Sequence, residues 1–235
     1  MKHSLQKSLA CAAGVVLMFC LSSIVVSAQN KRLKDAARHS SDAAQVFNQI
    51  MGVREKGIPK DLLSKAEAIA VFPGVVKAAF VIGGQGGQGV ISRRIKGGWS
   101  APAFFNLGGG SFGAKIGAQK TDYVLLIMND EGLKGLLEDK FEMGGEVSVA
   151  AGPVGRTAAA TTNATLDAGI LSYSRSKGAF IGAALKGGTI TPDNDLNEAI
   201  YGAKANDVLN PGKAAGDAPA EVRIFPVTLS RYSRR

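Results

Sequence analysis

The chain has 235 residues, 46% of them hydrophobic, which suits one domain with appendages and is long enough to bury a substantial core. Aromatics at 6% beside 30 glycines suit a β-rich chain with tight turns better than a helical bundle. Lysine and arginine total 28 against 19 acids, a formal charge of +9, and both cysteines (Cys11 and Cys20) fall in the first 28 residues, so the rest of the chain has no disulfide, thiol nucleophile or thiolate metal site.

Residues 1–28 read as a secretory signal. Lys2 and Lys7 give a positive start, Leu9 to Val26 is an uncharged apolar run, and Val26 and Ala28 suit a cleavage site before Gln29. The run is long for a signal, so an uncleaved membrane anchor stays open as the alternative. Lipidation does not fit, because Cys20 follows Phe19 and Cys11 precedes any adequate apolar stretch. Cleavage removes two lysines and no acid. The expected location is exported, periplasmic or extracellular, with a peripheral position on a membrane in view. A basic chain there meets anionic lipid or cell-wall polymer rather than nucleic acid, unless its charge serves only solubility.

From Lys31 to about Lys56 the residues Leu33, Ala36, Ala37, Ala43, Ala44, Phe47, Ile50 and Met51 recur at helical spacing. They predict an amphipathic N-terminal helix within 29–57, whose first turns carry Lys31, Arg32, Lys34 and Arg38 against Asp35 and Asp42. A second helix is expected with Pro59 near its first turn and Leu62, Leu63, Ala66 and Ile69 inward, stopped by Phe72-Pro73-Gly74. Between Val75 and Gly188 the pattern turns to short apolar or alternating runs broken by glycine. "VVKAAFVIGG", "GVISRRI", "WSAPAFFNL", "SFGAKIGA", "DYVLLIMN", "GEVSVAAG", "TAAATTNA", "AGILSYSRS" and "GAFIGAALKG" all read as strands. Their spacing of about 8–12 residues predicts an antiparallel sheet curling into a barrel or a bent sandwich.

Within that region "NDEGLKGLLEDKFEMGG" reads as a short helix with Leu133, Leu136, Leu137 and Phe141 on one face. "KAAFVIGGQGG" and "KGAFIGAALKGG" echo each other, which makes the two strands candidates to pair. "TPDNDLNEAIYG" starts a last helix capped by Asp193 or Asn194. Residues 206–235 read as a linker and a tail, whose "VRIFPVTLSRYSRR" either adds an edge strand or hangs loose. The fold class is therefore α+β, a curved antiparallel sheet or barrel-like core over 58–205 with flanking N-terminal and C-terminal helices.

One motif suggests chemistry and fails. Gly84, Gly86 and Gly89 satisfy G-x-G-x-x-G, but a dinucleotide loop must open a helix, and "VISRRIKGGW" alternates like a strand. An acid for the ribose is missing about 20 residues on, so the glycines mark a turn or bulge where strands approach closely. Beyond the signal the one histidine is His39, with no second histidine or cysteine to build a metal site. Serines are plentiful, but a serine–histidine arrangement would have to rely on His39 alone, and the scattered carboxylates Asp122, Asp130, Glu131, Glu138, Asp139, Glu142, Glu146 and Asp167 read as solvated faces. "DNDLNE" begins like a calcium loop, yet Glu198 stands where the turn needs glycine. The expectation is a non-enzymatic protein with no cofactor and no metal.

What remains is the basic first helix. Such a helix either lies in a membrane interface, cations against lipid phosphates, or packs its alanines on the domain. Both readings stay open on the residues alone.

Together "AEAIAVFPGVVKAAFVIGGQGGQGVISRR", "GGWSAPAFF", "DYVLLIMND", "SVAAGPVGR", "ILSYSRSKGAFIGAALKGG" and "DNDLNEAIYG" resemble the SYLF domain family, from about Ile58 to Tyr201 and in the family's order. The resemblance implies lipid binding, to phosphoinositide-type headgroups in the wider family, partly through a basic N-terminal helix. On this sequence the lipid-binding role falls on Lys31, Arg32, Lys34 and Arg38, with Phe47 and Ile50 on the apolar side, and on Arg156, Arg175 and Lys177 of "GPVGR" and "YSRSKG". Those arginines equally suit hydrogen bonds to turn carbonyls. Some eukaryotic members bind actin; for an exported chain that role is not expected, and anionic phospholipid is the expected partner. An envelope structural or adaptor protein, binding another protein or an acidic polymer, is the alternative function. A hydrophobic ligand held by the glycine-lined sheet also stays open.

Overall fold

Ala68, Ile69, Ala70, Val71 and Phe72 are all fully buried, although neighbours along a strand point to opposite faces. Such a run needs cover on both sides of the sheet. The structure, a computed structural model, describes residues 29–53, 57–79, 82–112, 117–138, 140–143, 148–155, 168–176, 179–183, 185, 187–210 and 213–233. The signal expected at 1–28, the strand expected over 157–164, Arg156 and Lys177 lie outside the described residues.

Helix α1 covers residues 29–51 and α2 covers Lys60–Lys65. Strands β1 (Ala68–Ala79), β2 (Ile82–Ile95), β3 (Gly98–Trp99), β4 (Ala103–Phe112) and β5 (Gly117–Ile127) follow. Next come α3 (Asp130–Leu137), β6 (Phe141–Glu142), β7 (Val149–Ala151), β8 (Ile170–Ser176), β9 (Ala179–Gly182) and β10 (Thr189–Pro192). Helices α4 (Asn194–Tyr201), α5 (Ala205–Leu209) and α6 (Ile224–Tyr232) end the chain. The sheet runs β6-β10-β4-β2-β1-β5-β8-β7, with β3 beside β2 and β9 beside β8. It curls into a half-barrel flanked by the N-terminal and C-terminal helices, a mixed α+β fold as expected. The pairing is antiparallel except between β7 and β8, which are parallel.

Two adjacent arginines identify the covering layers. Arg94 donates to Leu63 O and Ala66 O at the end of α2, and to Ser233 O just past α6. These bonds satisfy carbonyls that a helix end leaves orphaned. Arg93, on the opposite face, donates to Asn210 Oδ1 after α5 and sits 3.7 Å from Asp130 at the start of α3. Helix α1 joins the first layer: Ser40 Oγ donates to Val222 O, and the Phe47 ring meets Tyr232 edge-on at 5.9 Å.

Several expectations need correction. Phe72-Pro73-Gly74 does not stop a helix; α2 ends at Lys65, and the tripeptide forms a bulge inside β1, where the register shifts against both neighbours. Gly74 takes φ +57 there, and its N–H donates to Asp122 Oδ1 at 2.8 Å. The glycine motif is neither loop nor turn. It runs through the middle of β2, paired with β1 and β4, and a Cβ at Gly89 would strike Val71 O and the Phe72 ring. Phe141 lies in β6, beyond the short helix. The echoing stretches do not pair, since β9 pairs with β8. The tail is neither strand nor loose: α6 buries Phe225, Thr228 and Leu229. Asp193 does cap α4, accepting from Leu196 N.

The half of the sheet away from the helices stands open. Val76, Ala78, Gly84, Gly86, Gly110, Ala118 and Lys120 are exposed, and no helix of the described residues is long and apolar enough to cross a membrane.

Candidate functional site

Helix α1 divides its residues sharply. Ala36, Ala43, Phe47 and Ile50 are at most 1% exposed, whereas Lys31, Arg32, Lys34 and Arg38 all face solvent. The stripe sets this outcome, because alanines let the helix approach closely and Phe47 and Ile50 then enter the core. Phe47 and Ile50 therefore lie inside the fold, and could meet a bilayer only if α1 left the domain. Of the four cations only Arg38 has an ion pair among the described residues, with Asp35 at 3.4 Å. His39, half-buried on the same helix, is held below its ordinary 6.5 by burial and then by Arg38, against the pull of Asp35, Asp42 and Asp193.

Arg175 is committed elsewhere. Its Nε donates to Asp122 Oδ2 at 3.0 Å, while the other oxygen of Asp122 receives the Gly74 N–H. The pair is mostly buried, at 27% and 16% side-chain exposure, and locks the β1 bulge to β5 and β8. The structure thus leaves the α1 cations exposed along one helix and holds Arg175 in a separate, structural pair.

Among the described residues, two clefts gather polar groups that were not predicted as site residues. The larger, about 700 Å³, lies between the β2–β3 turn and α6 and is lined by Glu67, Arg94, Ile95, Lys96, Trp99 and Ser230, among others. The Arg94 guanidinium stacks 4.3 Å over the Trp99 ring, whose Nε1 donates to Ser233 Oγ. The smaller, about 470 Å³, lies between α3 and α5 and includes Arg93, Asp130, Lys134, Glu138, Asn206 and Asn210. No cluster of three or more metal-ligating side chains occurs among the described residues. Trp99 carried a signal in the sequence, being the only tryptophan and following two glycines.

Comparison with known proteins gives the lineage. The sequence model of the Ysc84 family, described as Las17-binding protein actin regulator, matches residues 108–232. LAS seventeen-binding protein 3 of Saccharomyces cerevisiae is 34% identical over 188 residues, 78% of this chain and 40% of that protein. Protein YSC84 of the same yeast is 34% identical over 179 residues, 73% of this chain and 38% of that protein. SH3 domain-containing YSC84-like protein 1 of Homo sapiens is 28% identical over 193 residues, 80% and 55% of the two chains. This chain thus spans about 40% of the yeast proteins' length.

These names overturn the expected partner. In place of an anionic membrane surface, with actin-related partners set aside, the relatives are named for binding Las17 or for carrying SH3 domains. The buried apolar side of α1 is the physical reason the membrane reading loses its footing. None of these names states a reaction.

Proposed function

This chain belongs to the Ysc84 family, the family that its SYLF motifs resemble, and on that premise we propose that it is a non-enzymatic adaptor that binds a protein partner of the actin-regulator class. The observation that supports this reading is the state of α1. Its apolar stripe is buried in the core, so what it offers outward is polar: the cations Lys31, Arg32, Lys34 and Arg38 outnumber the exposed Asp42 and the Asp35 that pairs with Arg38. A fixed helix presenting charge without an exposed apolar face suits an acidic protein surface, where charge complementarity speeds encounter and selects the partner. The names of the yeast relatives supply the candidate, Las17.

The test is retention of purified Las17, and of actin filaments in a parallel arm, by the immobilised chain. Las17 is expected to be retained, with reversal of the four cations to glutamate weakening retention by about tenfold or more. Retention unaffected by the reversal removes the role of α1. Failure to retain either protein removes the proposed partner class.

A further inference from the structure

Strand β8 ends the sheet on one side, and two short strands share its outer flank. Its first three residues, Ile170 to Ser172, pair with Val149 to Ala151 of β7. Its last four, Tyr173 to Ser176, pair with β9 from Gly182 back to Ala179, while β5 occupies the other side of β8. Strands β7 and β9 therefore follow one another along a single line. They meet so closely that a Cβ on Gly182 would strike Gly152 O, just past the end of β7. Three residues of β7 and four of β9 thus make one continuous edge, roughly 20 Å long. No described strand pairs with its outer side.

An open edge is a row of unpaired N–H and C=O groups, and what matches such a row is another strand. Proteins guard their edges with charge, proline, a bulge or brevity. The opposite end of the sheet is guarded: β6 is two residues long, and its Glu142 pairs with Lys140 at 2.6 Å. The β7–β9 edge has neither charge nor proline, and its register against β8 does not shift. Ala151, Ala179 and Ile181 are exposed, and Ile181, at 55%, is the most exposed large apolar side chain among the described residues. Arg175, on β8 behind this edge, is already paired with Asp122.

We propose that this edge pairs with the same edge of a second copy of the chain, joining two half-barrels into one sheet across a two-fold axis. With the axis at Gly182, Ala151 of each copy stands opposite Ile181 of the other, Ala150 opposite Phe180, and Val149 opposite Ala179. Every such pair is apolar and lies on one face, so the side chains cover one another and no like charges oppose. The acidic partner inferred above gains nothing from its charge at an uncharged edge, whereas a second copy brings an edge of equal length and matching side chains. The joined sheet then ends on the guarded β6 at both sides, so assembly stops at two copies. This inference rests on the fold and not on the adaptor reading.

The test is sedimentation equilibrium of the purified full chain over a concentration series, with hydrogen exchange measured at its two ends. A monomer–dimer equilibrium is expected, in which amides of β7 and β9 gain protection as the dimer forms. Ala151→Lys with Ile181→Lys sets like charges opposite one another and is expected to weaken the dimer by about tenfold or more. The matching double substitution to glutamate is expected to do the same, and an equimolar mixture of the two variants to dimerise again. Both positions are exposed, and circular dichroism checks that each variant stays folded.

Wild type that stays monomeric across the series overturns the proposal, as does a dimer whose β7 and β9 amides gain no protection. Association indifferent to both double variants, growth beyond the dimer, or a mixture that stays monomeric overturns it as well. So does protection of these amides that appears only when Las17 is added, which would give the edge to a partner's strand. None of these results bears on the α1 cations, which are judged by Las17 retention alone.

Discussion

Three side chains show how local physics decides the fold. Ser92 is fully buried on β2, and its hydroxyl has no hydrogen-bond partner among the described residues. A buried hydroxyl without a partner costs stability, so Ser92→Ala is expected to be neutral or stabilising by about 1 kcal/mol in urea unfolding. Gly89 faces the opposite condition: an added methyl meets Val71 O and the Phe72 ring, neither of which can yield easily. Gly89→Ala should cost about 2–3 kcal/mol by the same measurement. A strand of glycines lacks the side-chain alternation that identifies strands, so these glycines read as a turn or bulge where strands approach closely; the close approach is there at Gly89, but inside a strand. At His39, the folded state disfavours the charged ring, chiefly through burial. The unfolded chain then binds the proton more readily, and stability declines as pH falls below about 6.5 towards the lowered folded value. Wild type should lose more stability than His39→Gln between about pH 7.5 and 5.5, and equal losses would contradict the assignment.

At the scale of elements, α1 gives the sharpest contrast. Phe47 is fully buried against Tyr232, so Phe47→Ala should destabilise by about 3–5 kcal/mol, whereas each of Lys31, Arg32, Lys34 and Arg38 should tolerate glutamate within about 0.5 kcal/mol. A thermal melt of the two kinds of variant checks both halves. The α1 stripe was legible because alanine, phenylalanine and isoleucine recur at the helical period. Helix α6 was not, because Ile224, Val227 and Thr228 favour strands and Pro226 discourages a helix interior. Tertiary contacts override that preference. Pro226 falls in the first turn, where its missing N–H costs nothing, and Phe225 and Leu229 gain burial on one side. The Phe72-Pro73-Gly74 bulge was hidden for a related reason: its partner, Asp122, lies 48 residues on from Gly74.

For the whole molecule, glycine-punctuated runs were enough to predict a curled sheet with helices at both ends, and the family motifs were legible across most of it. Nothing in local pattern revealed which surfaces remain free, because that depends on which helices cover which face. The α1 stripe suits a membrane and a core equally as a sequence; only packing against Val222 and Tyr232 decides between them. What is left outward includes the charge on α1, the open half of the sheet and single apolar side chains on several elements. The most direct measurement is the binding isotherm of purified chain with purified Las17 at low and raised salt. Saturable binding that weakens as salt screens the α1 cations is the expected result. Absence of binding, or an affinity indifferent to salt, would contradict an adaptor role carried by α1.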